Sequence, residues 1–305
     1  MANDIPSNVL AAIQAAAACD LYAVTGTENY DSTILKTGEL QFDSGAMLQL
    51  TQVDAPFLVI CARQVLFRGA QPKATITCAM NATALAGNPG KVGTQGQRGG
   101  PNGELGADGG PGAPGTPGQS RALPIIYFLT EQLVAQPGVP VNWTDFCLSV
   151  GGIDGGAGGP GGNGGDGGAG GPGRAGKDGL LSCEVSATSG GIGGRGGTGG
   201  PGGPGGNGSD GASLVYVGPD AALAQMSFVK VINTGGNPGV GGTRGRGGTG
   251  GQGGPSGAGT NFCVPSNPGY NGPNGVDGAD GVSGQAGQKG TISLISRPDL
   301  SDLFS

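Results

Sequence analysis

The chain contains no histidine. That removes histidine general bases, histidine-based triads and imidazole metal ligands together. Charge is scarce: 12% of residues are charged and the net formal charge is -6. The basic field that nucleic-acid binding requires is therefore missing. No stretch is apolar enough and long enough to span a membrane, and Met1-Ala-Asn-Asp-Ile-Pro does not begin a secretory signal. No two of the six cysteines (Cys19, Cys61, Cys78, Cys147, Cys183, Cys263) have Cys-x-x-Cys spacing, which argues against a zinc site. No phosphate-binding G-x-x-x-x-G-K-[ST] lies between a strand and a helix. The expectation is a protein that is not an enzyme, with no catalytic, cofactor-binding or metal residues to name and no cofactor, nucleic-acid partner or membrane span.

What the chain has in abundance is glycine, at 72 residues. The glycines keep phase. Gly269 to Gly290 recur at every third position, as do Gly155 to Gly179, Gly190 to Gly211 and Gly236 to Gly257. Gly90 to Gly99 share one register, which slips by one residue at Gly99-Gly100-Pro101-Asn102 and resumes from Gly103 to Gly118. The slip has the residues of a turn. A period of three fits neither an α-helix nor a β-strand; it fits the extended threefold helix of the polyproline II class. Many triplets read X-Gly-Gly, as at Asp154, Ala157, Pro160, Asn163 and Asp166. A collagen strand gains nothing from the second glycine and loses backbone entropy by it. A flexible linker has no reason to keep phase. Helices bare of side chains on two edges can instead approach until their main chains hydrogen-bond to one another.

The X-Gly-Gly runs at 154–173 and 192–208, with the triplets at 236–257 and 269–290, resemble the polyglycine II bundles of T-even-type phage tail-fibre tip adhesins and of the snow-flea antifreeze protein. The resemblance covers under half of the chain. It implies a bundle of such helices, and for the antifreeze type a flat face of small residues. Arg195, Asp154, Asp166 and Arg246 at X positions interrupt such a face.

The remainder is a different material. Residues 6–18 read as a short helix with Ser7 as N-cap, placed to plug the end of a sheet. From 33 to 80 the pattern is strand-like: Ala74, Ile76, Cys78 and Met80 alternate with Thr75, Thr77 and Ala79, and 57–61 and 65–67 are apolar on both faces. Strand patterns return at Leu181-Cys183-Val185-Ala187, 214–217, 228–232 and 292–295. The fold class expected is mainly β, a solenoid or sandwich of short strands, with a bundle of polyglycine II helices and a short N-terminal α-helix. The divisions are 1-87 for the helix and strand core, 88-119 for a first glycine arm, 120-150 for a β segment, 151-290 for the interleaved glycine bundle and 291-305 for a final strand and tail. The first tract reads as a hairpin. The later ones read as long arms capped by 180–189 and 261–267, and the alternatives stay open.

Smaller signals have bland readings. The cysteines are either buried thiols, with Cys78 and Cys183 on the apolar phase of their strands, or disulfides stapling strands or arms. Trp143, near Phe146, reads as core. Arg244 and Arg246 around Gly245 resemble an Arg-Gly repeat and read as solvated. Gly161 to Asp166 partly fits a calcium nonapeptide, but Gly168 stands where a large apolar residue belongs. Asp277 and Asp280 share one edge and read as solvation. Asn81, Asn142 and Asn207 head glycosylation acceptors for a eukaryotic secretory route. Two function classes follow. The favoured one, because aromatic and polar recognition loops are sparse, is a non-enzymatic structural protein that self-associates through its glycine-rich helices and β-edges into a homo-oligomer or an extracellular filament or matrix. The other is an adhesin or toxin component that binds a cell-surface receptor, displaying Asn261-Phe262-Cys263 and Tyr270-Asn271 at arm tips. Ice binding is a third. An extracellular or surface location suits all of them.

Overall fold

The strand-rich part alternates, strand by strand, between two sheets. In the computed structural model, which describes residues 4–69, 73–78, 84–138 and 142–304, β1 (Cys19–Val24), β3 (Ile34–Phe42), β5 (Phe57–Phe67), β7 (Ile125–Ala135), β11 (Leu214–Gly218) and β13 (Ile292–Ser296) form one sheet in that order. The partner sheet runs β12 (Lys230–Ile232), β8 (Phe146–Ser149), β6 (Ala74–Cys78), β4 (Ala46–Leu50) and β2 (Thr27–Tyr30). Every pairing in both is parallel. This corrects the fold class read from the sequence. In place of a solenoid or sandwich of short strands bearing a polyglycine II bundle, the arrangement is α/β-like, two all-parallel sheets with mostly strands and few helices. The physical reason is connectivity. Parallel neighbours need a crossover, and here every crossover contains a strand of the other sheet, to which some add a pair of glycine tracts. Alternation along a strand predicts a half-buried strand but not the direction of its partner.

The main core lies between the sheets. Phe42 and Phe67 stack at 5.8 Å, Phe146 meets Phe67 at 5.0 Å, and Tyr216 meets Phe128 edge-on at 6.4 Å. Each such side chain, fully buried, contributes about 1.5–3 kcal/mol. Trp143 packs edge-on against Phe67 at the border of this core. The outer face of the six-stranded sheet is also covered. Val59, Cys61, Tyr127 and Leu129 point there against Val9 and Ile13 of α1 (Ser7–Ala15) and Leu300 and Leu303 near the C-terminus. This is why residues 57–61 are apolar on both faces.

Several local expectations change. The N-cap is Pro6 and Ser7 is the first helical residue, and the helix stops at Ala15 rather than 18. It lies on a sheet face instead of plugging an end. A second helix, α2 (Asp220–Met226), follows β11, and its Ala222, Leu223 and Met226 bury into the main core. Residues 181–187 do not continue either sheet: β10 (Cys183–Val185) pairs antiparallel with β9 (Lys177–Asp178) in a small hairpin. Strand 228–232 shortens to β12, leaving Phe228 exposed. Ala79, Met80 and the Asn81 acceptor lie outside the described residues.

The glycine tracts prolong the sheets. Residues 84–99 (thread 1), 151–176 (thread 3) and 233–259 (thread 5) leave β6, β8 and β12; residues 104–120 (thread 2), 187–212 (thread 4) and 267–291 (thread 6) return to β7, β11 and β13. Between β8 and β12 the ladder continues unbroken into threads 3 and 5. Val150 N–H donates to Ile232 C=O at 2.7 Å, and Gly152 N–H to Thr234 C=O at 2.7 Å. Beyond it the bonds repeat every three residues. Gly155, Gly158 and Gly161 donate to Asn237, Val240 and Thr243 of thread 5, and the same spacing joins threads 2, 4 and 6. Facing sheets normally stand about 10 Å apart because side chains separate them. Here the two layers of threads bond main chain to main chain: Gly197 N–H donates to Gly165 C=O at 2.8 Å and Gly200 N–H to Gly162 C=O at 2.8 Å. A Cβ at Gly165 would stand 2.0 Å from the Thr94 carbonyl oxygen, so only glycine fits the interior.

Candidate functional site

Every thread pair runs outward and back, so three turns meet at the end far from the sheets. Thread 3 spans 26 residues, which at about 3.1 Å per residue carries its end roughly 80 Å from β8. The first turn, 100–103, uses positive φ at Asn102 (71°) and Gly103 (80°), as the Gly-Pro-Asn sequence suggested. Gly103 N–H then docks on Pro172 C=O of thread 3 at 2.8 Å. The second turn is the β9–β10 hairpin. The third is the loop 260–266.

Two devices fix the second turn to the third. Cys183 and Cys263 form a disulfide with Cα atoms 4.9 Å apart. Of the two readings open for the cysteines, Cys183 takes the disulfide, while Cys61 and Cys78 are buried and free. The Asp178 carboxylate receives the N–H groups of Asn261 and Phe262 at 3.1 Å each and the Thr260 hydroxyl. Thr260 Oγ1 in turn accepts the Cys263 N–H at 3.1 Å. One carboxylate and one sulfur bridge thus hold a loop that has no regular structure of its own.

This end presents large apolar side chains beside the exposed Lys177–Glu184 ion pair. Leu180 is 97% exposed, Leu181 89%, Val264 82% and Phe262 51%. Exposed large apolar side chains gathered on a tethered tip mark a contact surface more than scattered ones do. The sequence pointed to Phe262 but missed Leu180 and Leu181, because Leu181 reads as the inward phase of a strand. The preceding Asp178-Gly179 was the available signal, since that dipeptide marks a turn. Tyr270, 80% exposed, sits farther back on the face of thread 6, where its carbonyl accepts Gly193 N–H. Asn271 points its side chain at Gly253 N–H instead of outward to a ligand.

The other singled-out polar residues are structural ties between threads. Asp154 accepts Asn237 N–H at 2.6 Å, Asn163 accepts Arg246 N–H at 2.9 Å, and Asp108 accepts Arg195 N–H at 2.6 Å. Asp166 accepts both the hydroxyl and the N–H of Thr249, which hold its carboxyl below the usual carboxylate range. Arg244 lies between Asp277 and Asp280, at 3.9 and 3.6 Å. Asn142 accepts Thr144 N–H in a short 3-10 turn; Asn207 accepts Gln285 N–H. Among the described residues no three His, Cys, Asp or Glu side chains gather to hold a metal ion, and no helix is long and apolar enough to cross a membrane. The exposed apolar side chains at the tip offer surface that a partner can bury.

No protein-family model matches the chain, and no curated protein matches it. Among solved structures it is similar in sequence to the nine polyproline type II helical bundle springtail antifreeze protein from Granisotoma rainieri, at 26% identity over 63% of this chain and 97% of that one; the TM-score is 0.10, at which the backbones do not superpose.

Proposed function

We propose that the protein is a non-enzymatic recognition module of a surface appendage, which holds an apolar tip away from its sheets on a stiff glycine stalk and binds a cell or envelope surface through it. The observation that carries this reading is the cluster of exposed Leu180, Leu181, Phe262 and Val264 on two turns locked together by the Cys183–Cys263 bridge. Burying each on a partner is worth about 1.5–3 kcal/mol before the costs of association. A structural disulfide suits an oxidising, extracellular setting. The test is retention of the labelled protein on candidate cells or isolated envelopes, beside a Leu180→Ser, Leu181→Ser, Phe262→Ser variant. These side chains are exposed, so the variant keeps its melting temperature. Selective loss of retention supports the reading; equal retention of both proteins, or none of the native protein on any surface, rejects it.

A second reading, edge-to-edge self-association into a filament, has its own support. Among the described residues β1 and β13 end the six-stranded sheet with open parallel edges, and Leu21, Ile292 and Leu294 on those strands are exposed. Open strand edges are templates for another copy. Sedimentation across a concentration series tests it. Leu294→Lys abolishes association if β13 is the joining edge, and a native protein of constant monomer mass rejects it.

A further inference from the structure

The glycine array has a sideways edge that is open to addition of another thread, and the chain closes it in two ways. Inside the array, both glycines of a triplet face main chain. A Cβ at Gly158 would lie 2.0 Å from Gly203 O, and one at Gly159 would lie 2.0 Å from Asn88 O. On thread 6 the position equivalent to Gly158 has no glycine at all: it holds Asn271, Asn274, Asp277, Asp280, Ser283 and Ala286 in succession. Their Cβ atoms fill the space into which a seventh thread would pack. Their side chains do more. In thread 3 the N–H row of Gly155, Gly158, Gly161 and Gly164 is taken by carbonyls of thread 5. Among the described residues no thread lies beside thread 5 to take its own row. Four positions of that row are taken by side chains instead. Gly253, Gly250 and Gly247 donate to Oδ1 of Asn271, Asn274 and Asp277 at 2.8, 2.9 and 2.9 Å, and Arg244 N–H donates to Oδ1 of Asp280 at 3.0 Å. The spacing is three residues on both threads, so each side-chain oxygen stands in for one carbonyl of an absent neighbour.

We propose that Asn271, Asn274, Asp277 and Asp280 form an edge lock, which ends the array at six threads by occupying the donor row on which a glycine thread from a second copy of this chain would dock. An unpaired N–H row beside a flat main-chain surface is the thread counterpart of an open sheet edge, and natural proteins block such edges with polar and charged side chains. Asn and Asp serve because their short side chains reach back to a neighbouring backbone N–H, and neither offers a carbonyl row that could continue the array. The proposal rests on neither reading above; it closes the glycine array sideways while leaving the sheet edges β1 and β13 untouched.

The test compares native protein with the quadruple variant Asn271→Gly, Asn274→Gly, Asp277→Gly, Asp280→Gly, which removes both the oxygens and the Cβ atoms. Amide exchange of Arg244, Gly247, Gly250 and Gly253 rises by roughly tenfold or more, exchange in thread 3 stays slow, and the variant sediments heavier than native protein at equal concentration. If the quadruple variant does not fold, Asn274→Gly alone raises exchange at Gly250 and favours dimers at high concentration. Unchanged exchange at those amides, or raised exchange with native sedimentation, overturns the proposal.

Discussion

Asn233 and Gly290 are tied twice where strand becomes thread: Gly290 N–H donates to the Asn233 carbonyl at 2.9 Å, and Asn233 Nδ2 donates to the Gly290 carbonyl at 2.9 Å. Asn233 is buried, and its amide also reaches Ala212 C=O at 3.5 Å. It joins threads 5 and 6 at the point where sheet spacing gives way to thread spacing. Asn233→Ala leaves the half-buried Gly290 carbonyl short of a donor, which costs about 1 kcal/mol. Urea unfolding of the variant shows the loss as a lower midpoint at unchanged slope.

Interior and edge positions of the threads differ sharply in tolerance. The Cβ of Gly165→Ala would approach the Thr94 carbonyl oxygen to 2.0 Å. The neighbour is backbone on a thread bonded on several sides, so it cannot yield cheaply. The expected loss is about 3 kcal/mol or more, beyond ordinary overpacking. Ser283→Ala on the exposed edge of thread 6 changes stability by less than about 0.5 kcal/mol. Thermal melting of the two variants beside native protein separates them.

Tyr216 lies in the main core with no hydrogen-bond partner for its hydroxyl, and burial pushes its phenol well up from the ordinary value. An unpaired buried hydroxyl is a cost that phenylalanine does not carry. Tyr216→Phe stabilises the protein by about 1 kcal/mol and raises the melting temperature; a lower melting temperature would show that the hydroxyl is satisfied.

Two thiols make stability fall at alkaline pH. Burial pushes Cys61 and Cys78 from 9.0 up to about 12. Between those values the unfolded chain loses a proton that the folded one keeps. Their contribution is therefore full below about pH 9 and is lost as pH rises toward 12, at up to about 1.4 kcal/mol per pH unit for each thiol. Denaturant midpoints measured at about pH 8 and about pH 10.5 show the decline, and Cys78→Ala makes it shallower. An identical slope in the variant would contradict the assignment.

Some of this was legible in the sequence. The phase of the glycines is the phase of the hydrogen bonds, because a three-residue helix brings the same edge round at each third residue. The number of glycines per triplet carried more than was read from it. Threads 3 and 4, enclosed by others, repeat X-Gly-Gly, whereas thread 6 at the border keeps one glycine per triplet. The parallel pairing was not legible, since alternation in 74–78 predicts a half-buried strand and is silent on its neighbour. Nor was the tip. Leu180 and Leu181 look like core until the disulfide partner 80 residues away is known, and Asp178 looks like solvation until the loop it holds is in place.

The central claim is that the glycine threads are a hydrogen-bonded prolongation of two parallel sheets. Residue-resolved amide hydrogen exchange on the native protein tests it most directly. The account predicts slow exchange at Gly156, Gly159, Gly162, Gly165 and Gly168, whose N–H groups all donate to thread 2, with protection comparable to that of the central strand β5. Exchange of those five amides at the rate of an unfolded chain, while β5 stays protected, would contradict it.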